Sequence, residues 1–217
     1  MDDGALLART FPIILSGPSG AGKTTIRDAL LEEEGGERLL FSVSMTTREP
    51  RPREREGIDY RFVDRAAFEG LIEAGAMLEH AEVHDEFYGT PRDNLEAARE
   101  RGVHLLLDID VQGARQVRAA ASDALSIFIL PPDGRRIEER LRRRGSETPA
   151  QRERRVATAR AELRAVGEFD YVVVNEVLSD AVSRVRAVVH AAEAARPRLG
   201  ERALRLAERI RAELDRG

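Results

Sequence analysis

One short segment near the start of the chain combines the residue types that bind phosphate. Residues 17–24 read Gly-Pro-Ser-Gly-Ala-Gly-Lys-Thr, which fits the phosphate-loop pattern of two glycines followed by a lysine and a hydroxyl residue. Glycines let backbone N–H groups converge on phosphate oxygens, and the helix that follows adds the positive end of its dipole. Lys23 is the only lysine among 35 basic residues. We therefore expect Lys23 to reach the β- and γ-phosphates of a nucleoside triphosphate, and Thr24 to ligate its Mg²⁺.

Two acidic residues end an apolar run later in the chain. Residues 105–110 read Leu-Leu-Leu-Asp-Ile-Asp, and in an extended strand Asp108 and Asp110 would project from the same side. At the carboxyl end of a parallel strand, an acid can hold Mg²⁺ or its water opposite a phosphate loop. We predict that Thr24 and Asp108 hold the metal. The alternative is a solvated strand end with an aspartate that caps the next helix.

Arginine is concentrated in two other segments that could bind anions. Arg48 and Arg51 stand three residues apart in a proline-stiffened loop, a spacing that lets both guanidinium groups grip one phosphate. Residues 135–164 contain eleven arginines and five glutamates, although the whole chain has a formal charge of -4. On its own, either segment is equally well explained as a solvated basic surface. The net negative charge argues against a nucleic-acid partner.

The elements that must position these residues follow an alternating pattern. Apolar or β-branched runs predict strands at residues 11–15, 39–43, 103–110, 125–130 and 171–174. Besides the helix after the phosphate loop, helices are predicted at residues 65–74, 91–101, 112–120, 135–144, 149–166 and 180–195. This alternation is typical of an α/β fold, a mostly parallel sheet with helices on both faces. Residues 48–90 break the pattern and are predicted to form an insertion over the sheet edge.

Composition limits the class of protein further. The chain has 217 residues, of which 42% are hydrophobic and 34% charged, so it can bury a core and keep a well-solvated surface. It contains no cysteine, which excludes disulfides and thiolate metal sites. No apolar run approaches the ~18 residues that a membrane span needs, and the first residues are acidic. We expect a cytoplasmic protein that binds no membrane.

Taken together, these motifs resemble guanylate kinase. The resemblance is carried, in order from about residue 11 to 175, by GPSGAGKTT, SMTTREPRPRE with Tyr60 downstream, LEHAEV followed by FYGTP, LLLDIDVQG, and RGSET before an arginine-rich helix. It implies direct in-line phosphoryl transfer from ATP, with Mg²⁺, to GMP or dGMP in purine nucleotide metabolism. It also implies a three-layer phosphate-loop core with a GMP-binding insertion and a mobile lid. The corresponding segments are 1–43 core, 44–91 insertion, 92–134 core, 135–160 lid, 161–195 core and 196–217 C-terminal helix.

The resemblance also implies roles for individual residues. The GMP phosphate would be bound by Arg48, Arg51, Tyr60 and Tyr88. The guanine base would be read by the hydroxyl donors Ser44 and Thr90 and by the acceptors Glu79 and Asp110, which suits the donors and acceptors of guanine. ATP would be bound by Gly17, Pro18, Ser19, Gly20, Ala21, Gly22, Lys23, Thr24, Thr25 and Asn175. The catalytic residues would be Lys23, Arg140, Arg144 and Arg155.

Two alternative functions stay open at this point. A related kinase of the same fold could act on another phosphorylated acceptor such as a sugar bisphosphate, but it would lack the base-reading residues. A scaffold domain descended from guanylate kinases would have a decayed phosphate loop, whereas Lys23 and Thr24 are intact here. Turnover with different nucleoside monophosphates separates these possibilities.

The end of the chain extends beyond the usual end of this family. Apolar residues at helical spacing predict an amphipathic helix: Ala203, Leu206, Ala207, Ile210 and Leu214. We expect this helix to dock on its own core, with a contact between two copies as the alternative. The protein would accordingly be a monomer or a homodimer.

Overall fold

Two β-sheets organise the part of the chain that the computed structural model describes. The described residues are 10–52, 54–83, 85–143, 149–195 and 201–215. Their strands are β1 (Pro12–Ser16), β2 (Leu39–Phe41), β3 (Met45–Thr46), β4 (Arg61–Phe62), β5 (Met77–Val83), β6 (Glu86–Pro91), β7 (His104–Asp108), β8 (Leu125–Leu130) and β9 (Tyr171–Val174). Their α-helices are α1 (Lys23–Glu34), α2 (Arg65–Glu73), α3 (Asp93–Glu100), α4 (Val111–Ala120), α5 (Gly134–Arg143), α6 (Pro149–Leu163), α7 (Leu178–Glu193) and α8 (Glu201–Leu214).

The larger sheet places β1 at the centre of the core. Within the described ranges it has five parallel strands in the order β2-β7-β1-β8-β9. Ile13 and Leu15 pack in one apolar cluster with Val185 of α7, whereas Ile14 packs in another with Val117 of α4. Alternate residues of a strand point to opposite faces, so helices cover both faces of this sheet. The predicted α/β fold is therefore confirmed.

The predicted strands of this core are observed, but two of them end earlier than expected. The predicted strand 39–43 ends at Phe41, and the predicted strand 103–110 ends at Asp108. The second difference has a local cause, because the Asp110 carboxylate accepts a hydrogen bond from the Gly113 N–H at 2.7 Å and caps α4. Asp110 thus belongs to the helix start, and the expectation that both aspartates project from one strand was wrong.

The smaller sheet forms within the segment that the sequence marked as an insertion. In the described residues it has four strands in the order β4-β3-β6-β5, with β5 and β6 paired as an antiparallel hairpin. Helix α2 covers it: Phe68 is fully buried and its ring stacks on Phe87, with centroids 5.2 Å apart. The helix begins after Asp64, whose side chain accepts a hydrogen bond from the Ala67 N–H. The strands of this sheet were not predicted.

Gln116 of α4 attaches the hairpin of the smaller sheet to the core. Its side-chain amide donates to the His80 carbonyl at 2.9 Å and accepts from the His80 N–H at 3.1 Å. The side chain therefore pairs with β5 as a neighbouring strand would. These two hydrogen bonds at His80 also hold the preceding residue, Glu79, next to the start of α4.

Helix α8 matches the predicted amphipathic helix over residues 201–214, while residues 196–200, 216 and 217 lie outside the described ranges. On its predicted apolar face Ala203 and Leu206 are half-buried, whereas Ala207, Ile210 and Leu214 are exposed, so the expected docking on the core is not observed for these last three. None of the helices in the described ranges is long and apolar enough to cross a membrane.

Candidate active site

The phosphate loop joins the buried end of β1 to the first turn of α1. Gly17, Gly20 and Gly22 have φ angles of 135°, 88° and 93°, which side chains rarely tolerate. A Cβ atom at Gly17 would also overlap the carbonyl oxygen of Ile129, and one at Gly22 would overlap the Asn175 amide. The loop therefore depends on glycine both for its backbone conformation and for its close packing against neighbouring strand ends.

Lys23 is the first residue of α1 and folds back over this loop. Its half-buried ammonium donates to the Gly17 carbonyl at 2.6 Å and lies 3.5 Å from the Pro18 carbonyl. Neutral carbonyl groups compensate the charge only in part, since a carboxylate or phosphate makes a stronger, charge-assisted bond. The ammonium is consequently held inside the loop and retains its attraction for an anion.

Thr24 and Asp108 meet beside the loop. The Thr24 hydroxyl donates to the Asp108 carboxylate at 2.9 Å, although the residues are 84 positions apart. Within the described residues, no group of three or more histidine, aspartate or glutamate side chains could hold a metal ion. Mg²⁺ commonly takes one or two protein oxygens and completes its shell with phosphates and water. The hydroxyl and carboxylate oxygens fit a Mg²⁺ ion that arrives with a nucleoside triphosphate.

One predicted catalytic residue, Arg140, and one predicted ATP-binding residue, Asn175, contact the phosphate loop from elements distant in sequence. The Arg140 guanidinium of α5 donates to the carbonyls of Gly20 and Ala21, each at 2.9 Å, and the Asn175 amide donates to Ala21 at 2.7 Å. Arg155 lies half-buried on α6, and the predicted catalytic Arg144 lies outside the described residues.

A cavity of about 660 Å³ opens beside these groups. Its lining combines the loop with the ends of β7 and β9 and with residues of α1, α5, α6 and α7: Ser19, Gly20, Gly22, Lys23, Thr24, Thr25, Asp108, Asp110, Arg140, Glu162, Asn175, Glu176 and Leu178. Of the predicted ATP-binding residues, Gly17, Pro18 and Ala21 are not part of this lining. They support it, because the first two hold the lysine and Ala21 accepts the Arg140 and Asn175 hydrogen bonds.

A buried carboxylate and hydroxyl lie near Asp110. Glu79 is only 7% exposed, and it accepts a hydrogen bond of 2.7 Å from the Thr90 hydroxyl. The pKa of Glu79 is raised to about 7, chiefly because the carboxylate is buried. The hydrogen bond from Thr90 lowers this pKa, and the nearby charge of Asp110 raises it. A Cβ atom at Gly113 would lie 3.0 Å from the Glu79 carboxylate, so α4 begins very close to this pair.

Three of the predicted phosphate-binding side chains meet on the smaller sheet. Arg48 donates from Nε to the Tyr88 hydroxyl at 3.1 Å, and its guanidinium lies 5.2 Å from the centre of the Tyr60 ring. Burial raises the pKa of Tyr60 and keeps it a neutral hydroxyl donor. Arg51 is exposed on the same loop, and Ser44 is half-buried just before β3.

A sequence model of the guanylate kinase family matches residues 9–192. The chain belongs to the guanylate kinase family. A guanylate kinase of Thermus thermophilus is 45% identical over 206 residues, which cover 93% of this chain and 92% of the relative. That of Leifsonia xyli is 49% identical over 80% of this chain and 68% of the relative. The crystal structure of guanylate kinase from Anaplasma phagocytophilum superposes with a TM-score of 0.72 at 37% identity, covering 92% of this chain and 96% of that one.

Two carboxylates of this guanylate kinase family member were missed by the sequence analysis. Glu162 of α6 accepts a hydrogen bond from the Ser19 N–H of the phosphate loop at 3.2 Å, and burial raises its pKa although the Lys23 charge opposes this. Glu54 forms an ion pair with Arg48. Both lie in arginine-rich segments, where sequence alone gives no signal that separates a contact in the site from a solvated charge.

Proposed function

We propose that the protein transfers the γ-phosphoryl group of ATP to GMP, and to dGMP, and releases ADP and the corresponding diphosphate. Membership of the guanylate kinase family supports this reaction. The observation that carries the proposal is the position of Asp110, which is close both to the phosphate loop and to the buried Glu79. Asp110 lines the cavity of the phosphate loop, and its charge also acts on the buried Glu79. A triphosphate on the loop and a base against Glu79 would therefore be close neighbours.

The polar groups around Glu79 suit guanine. The N1–H and the amino group of guanine are donors that match the Glu79 and Asp110 carboxylates. Its O6 and N7 are acceptors that match the hydroxyl of Ser44 and that of Thr90, whose hydrogen would turn from Glu79 to the base. Adenine would offer its amino donor to hydroxyl donors and would give Glu79 no proton. Buried groups left unpaired in this way account for discrimination on the order of 10⁴-fold.

The acceptor phosphate would be held by Arg48, Arg51, Tyr60 and Tyr88. Guanidinium groups match phosphate oxygens with paired N–H donors, and the phenol hydroxyls add neutral donors that do not over-compensate the charge. With the base and the phosphate both fixed, a phosphate oxygen of GMP is oriented toward the phosphate loop. Orientation of this kind supplies much of the rate in phosphoryl transfer.

In the transfer step, an oxygen of the GMP phosphate attacks the γ-phosphorus, and the bond to the β–γ bridging oxygen breaks as ADP leaves. Lys23 would compensate charge on the transferred group, together with Arg140, Arg144 and Arg155 from the predicted lid. Thr24 and Asp108 would hold Mg²⁺, which screens the charge of the phosphates when bound. Closure of the arginine-bearing helices would exclude water and so suppress hydrolysis of ATP.

A coupled assay of ADP release tests this function. The purified protein would be supplied with ATP and Mg²⁺, and with GMP, dGMP, AMP, UMP or no acceptor. We expect ADP formation with GMP and dGMP, at a rate far above that with AMP or UMP. ADP formation with none of these acceptors would refute the proposal. It would favour the alternative of a scaffold domain without kinase activity.

A further inference from the structure

Glu54 has an unusual position on the loop between β3 and β4. Its carboxylate accepts hydrogen bonds from both terminal nitrogens of Arg48, at 2.7 and 3.0 Å, and from the main-chain N–H of Arg51 at 2.8 Å. The Glu54 and Arg48 side chains are only 19% and 13% exposed. One carboxylate therefore fixes both of the arginines that the sequence marks as phosphate ligands, one through its side chain and the other through its backbone.

The donors of Arg48 are nearly all engaged. Nε donates to the Tyr88 hydroxyl, Nη1 to the carbonyl of Glu49 and to Glu54, and Nη2 to Glu54. A guanidinium carries five N–H donors, so one hydrogen of Nη2 remains without a partner in the described part of the chain. Because the group is planar, that hydrogen lies parallel to the Nε–H bond and on the same edge as Tyr88.

The orientation of Tyr88 follows from the same contacts. Its oxygen accepts from Arg48, so its own hydrogen is available to another acceptor. The free Nη2 hydrogen and the Tyr88 hydrogen thus share one edge of the guanidinium, which also lies over the Tyr60 ring. Glu54 occupies the adjacent edge, formed by Nη1 and Nη2, and so leaves the Nε–Nη2 edge for an incoming anion.

We propose that Glu54 is a positioning residue for the acceptor's phosphate, acting through Arg48 and through the main chain at Arg51. The inference rests on the proposed function, since the phosphate is that of GMP. A negative charge beside a phosphate does not attract it, so the contribution of Glu54 is geometric. Glu54 binds the two terminal nitrogens of Arg48. The edge formed by Nε and Nη2, together with Tyr88, then faces the phosphate.

The alternative role is competition, in which Glu54 stands in for the phosphate and is displaced by it. The two roles predict opposite effects of Glu54→Gln. A glutamine keeps the size of the side chain but replaces one acceptor oxygen with an amide donor, which faces an Arg48 donor. Positioning therefore predicts weaker GMP binding in the variant, whereas competition predicts tighter binding.

The test measures KM for GMP, KM for ATP and kcat for Glu54→Gln, with Glu49→Gln as the matched control. Among the described residues, Glu49 contacts Arg48 through its backbone carbonyl, and its side chain is exposed. We expect KM for GMP to rise about tenfold or more in Glu54→Gln, the size of a lost charge-assisted contact. KM for ATP and kcat at saturating GMP should not change, and the control should match the wild type.

Inhibition by guanosine distinguishes a loss of phosphate positioning from general damage to the smaller sheet. As a competitive inhibitor without a phosphate, guanosine should bind Glu54→Gln as tightly as it binds the wild type. A KM for GMP that is unchanged or lower overturns the proposal, and so does a guanosine inhibition constant that rises in parallel with KM. If the wild type itself produces no ADP with GMP, the proposed function fails instead.

Discussion

Replacement of Glu79 by glutamine should stabilise the unliganded protein at alkaline pH while impairing GMP binding. Glu79 is 7% exposed, and its burial raises its pKa from 4.5 to about 7. One pKa unit corresponds to about 1.4 kcal/mol, so the ionised carboxylate opposes folding by about 3 kcal/mol once it is fully charged. Glutamine is neutral at every pH and can still accept the hydrogen bond of Thr90, so it avoids this cost.

The direction of the pH effect follows from the raised pKa in the folded state. The favourable contribution of the protonated Glu79 is fully present below its unfolded pKa and is lost as pH rises through about 7. Relative to Glu79→Gln, the wild type should therefore lose stability between about pH 4.5 and 7 and then stay constant. At pH 8 the variant should be more stable by up to about 3 kcal/mol, and at pH 5 the difference should be smaller, about 1 kcal/mol.

Urea unfolding at pH 5 and pH 8 measures this difference, and the coupled assay measures its functional cost. The exposed Glu82 lies on the same strand, and Glu82→Gln is the control for loss of a carboxylate at a solvated position. In Glu79→Gln, KM for GMP should rise at least about 100-fold while KM for ATP stays within about twofold, because the amide would face the donors of guanine. A variant that is less stable at pH 8, or whose stability difference is the same at both pH values, would refute the reasoning.

Three further substitutions test other parts of the site and its support. Lys23→Ala should lower kcat at least about 100-fold with little change in urea stability, since among the described residues the ammonium donates to the neutral carbonyls of Gly17 and Pro18; near-normal kcat would exclude its assigned role. Asp108→Asn should raise the Mg²⁺ concentration for half-maximal turnover about tenfold at fixed ATP, and an unchanged Mg²⁺ titration would contradict the predicted ligand. Phe68→Ala should destabilise the protein by about 3–5 kcal/mol in urea unfolding, because Phe68 is fully buried against Phe87; a loss below about 1 kcal/mol would mean that the smaller sheet does not depend on this ring pair.

The parallel core could be predicted because its signals are local. A strand such as β1 is a continuous apolar run, and the glycine pattern and Lys23 mark the turn from that strand into α1. Asp108 was placed correctly for the same reason, since it ends an apolar run. Asp110 was assigned to the strand because a pattern of apolar residues does not separate a strand end from a helix cap, and the alternative of a capping aspartate is the one observed.

The smaller sheet could not be predicted in the same way. Strands β3 and β4 have two residues each and are defined only by their partners, which lie many positions away. The resemblance to guanylate kinase pointed to Glu79 and Thr90, but their burial and mutual hydrogen bond depend on the β5–β6 hairpin and on α4. Glu162 reaches Ser19 across 143 positions, a contact that no local pattern encodes.

The solitary lysine gives the molecule a native chemical reporter. An acylating reagent that modifies side-chain amines has one such target in the sequence, and that amine lies half-buried against the Gly17 carbonyl. The arginine-rich surface offers no competing amine, because a guanidinium stays protonated and is a poor nucleophile. The extent of acylation at position 23, read by mass spectrometry after proteolysis, would therefore follow nucleotide occupancy without any engineered label.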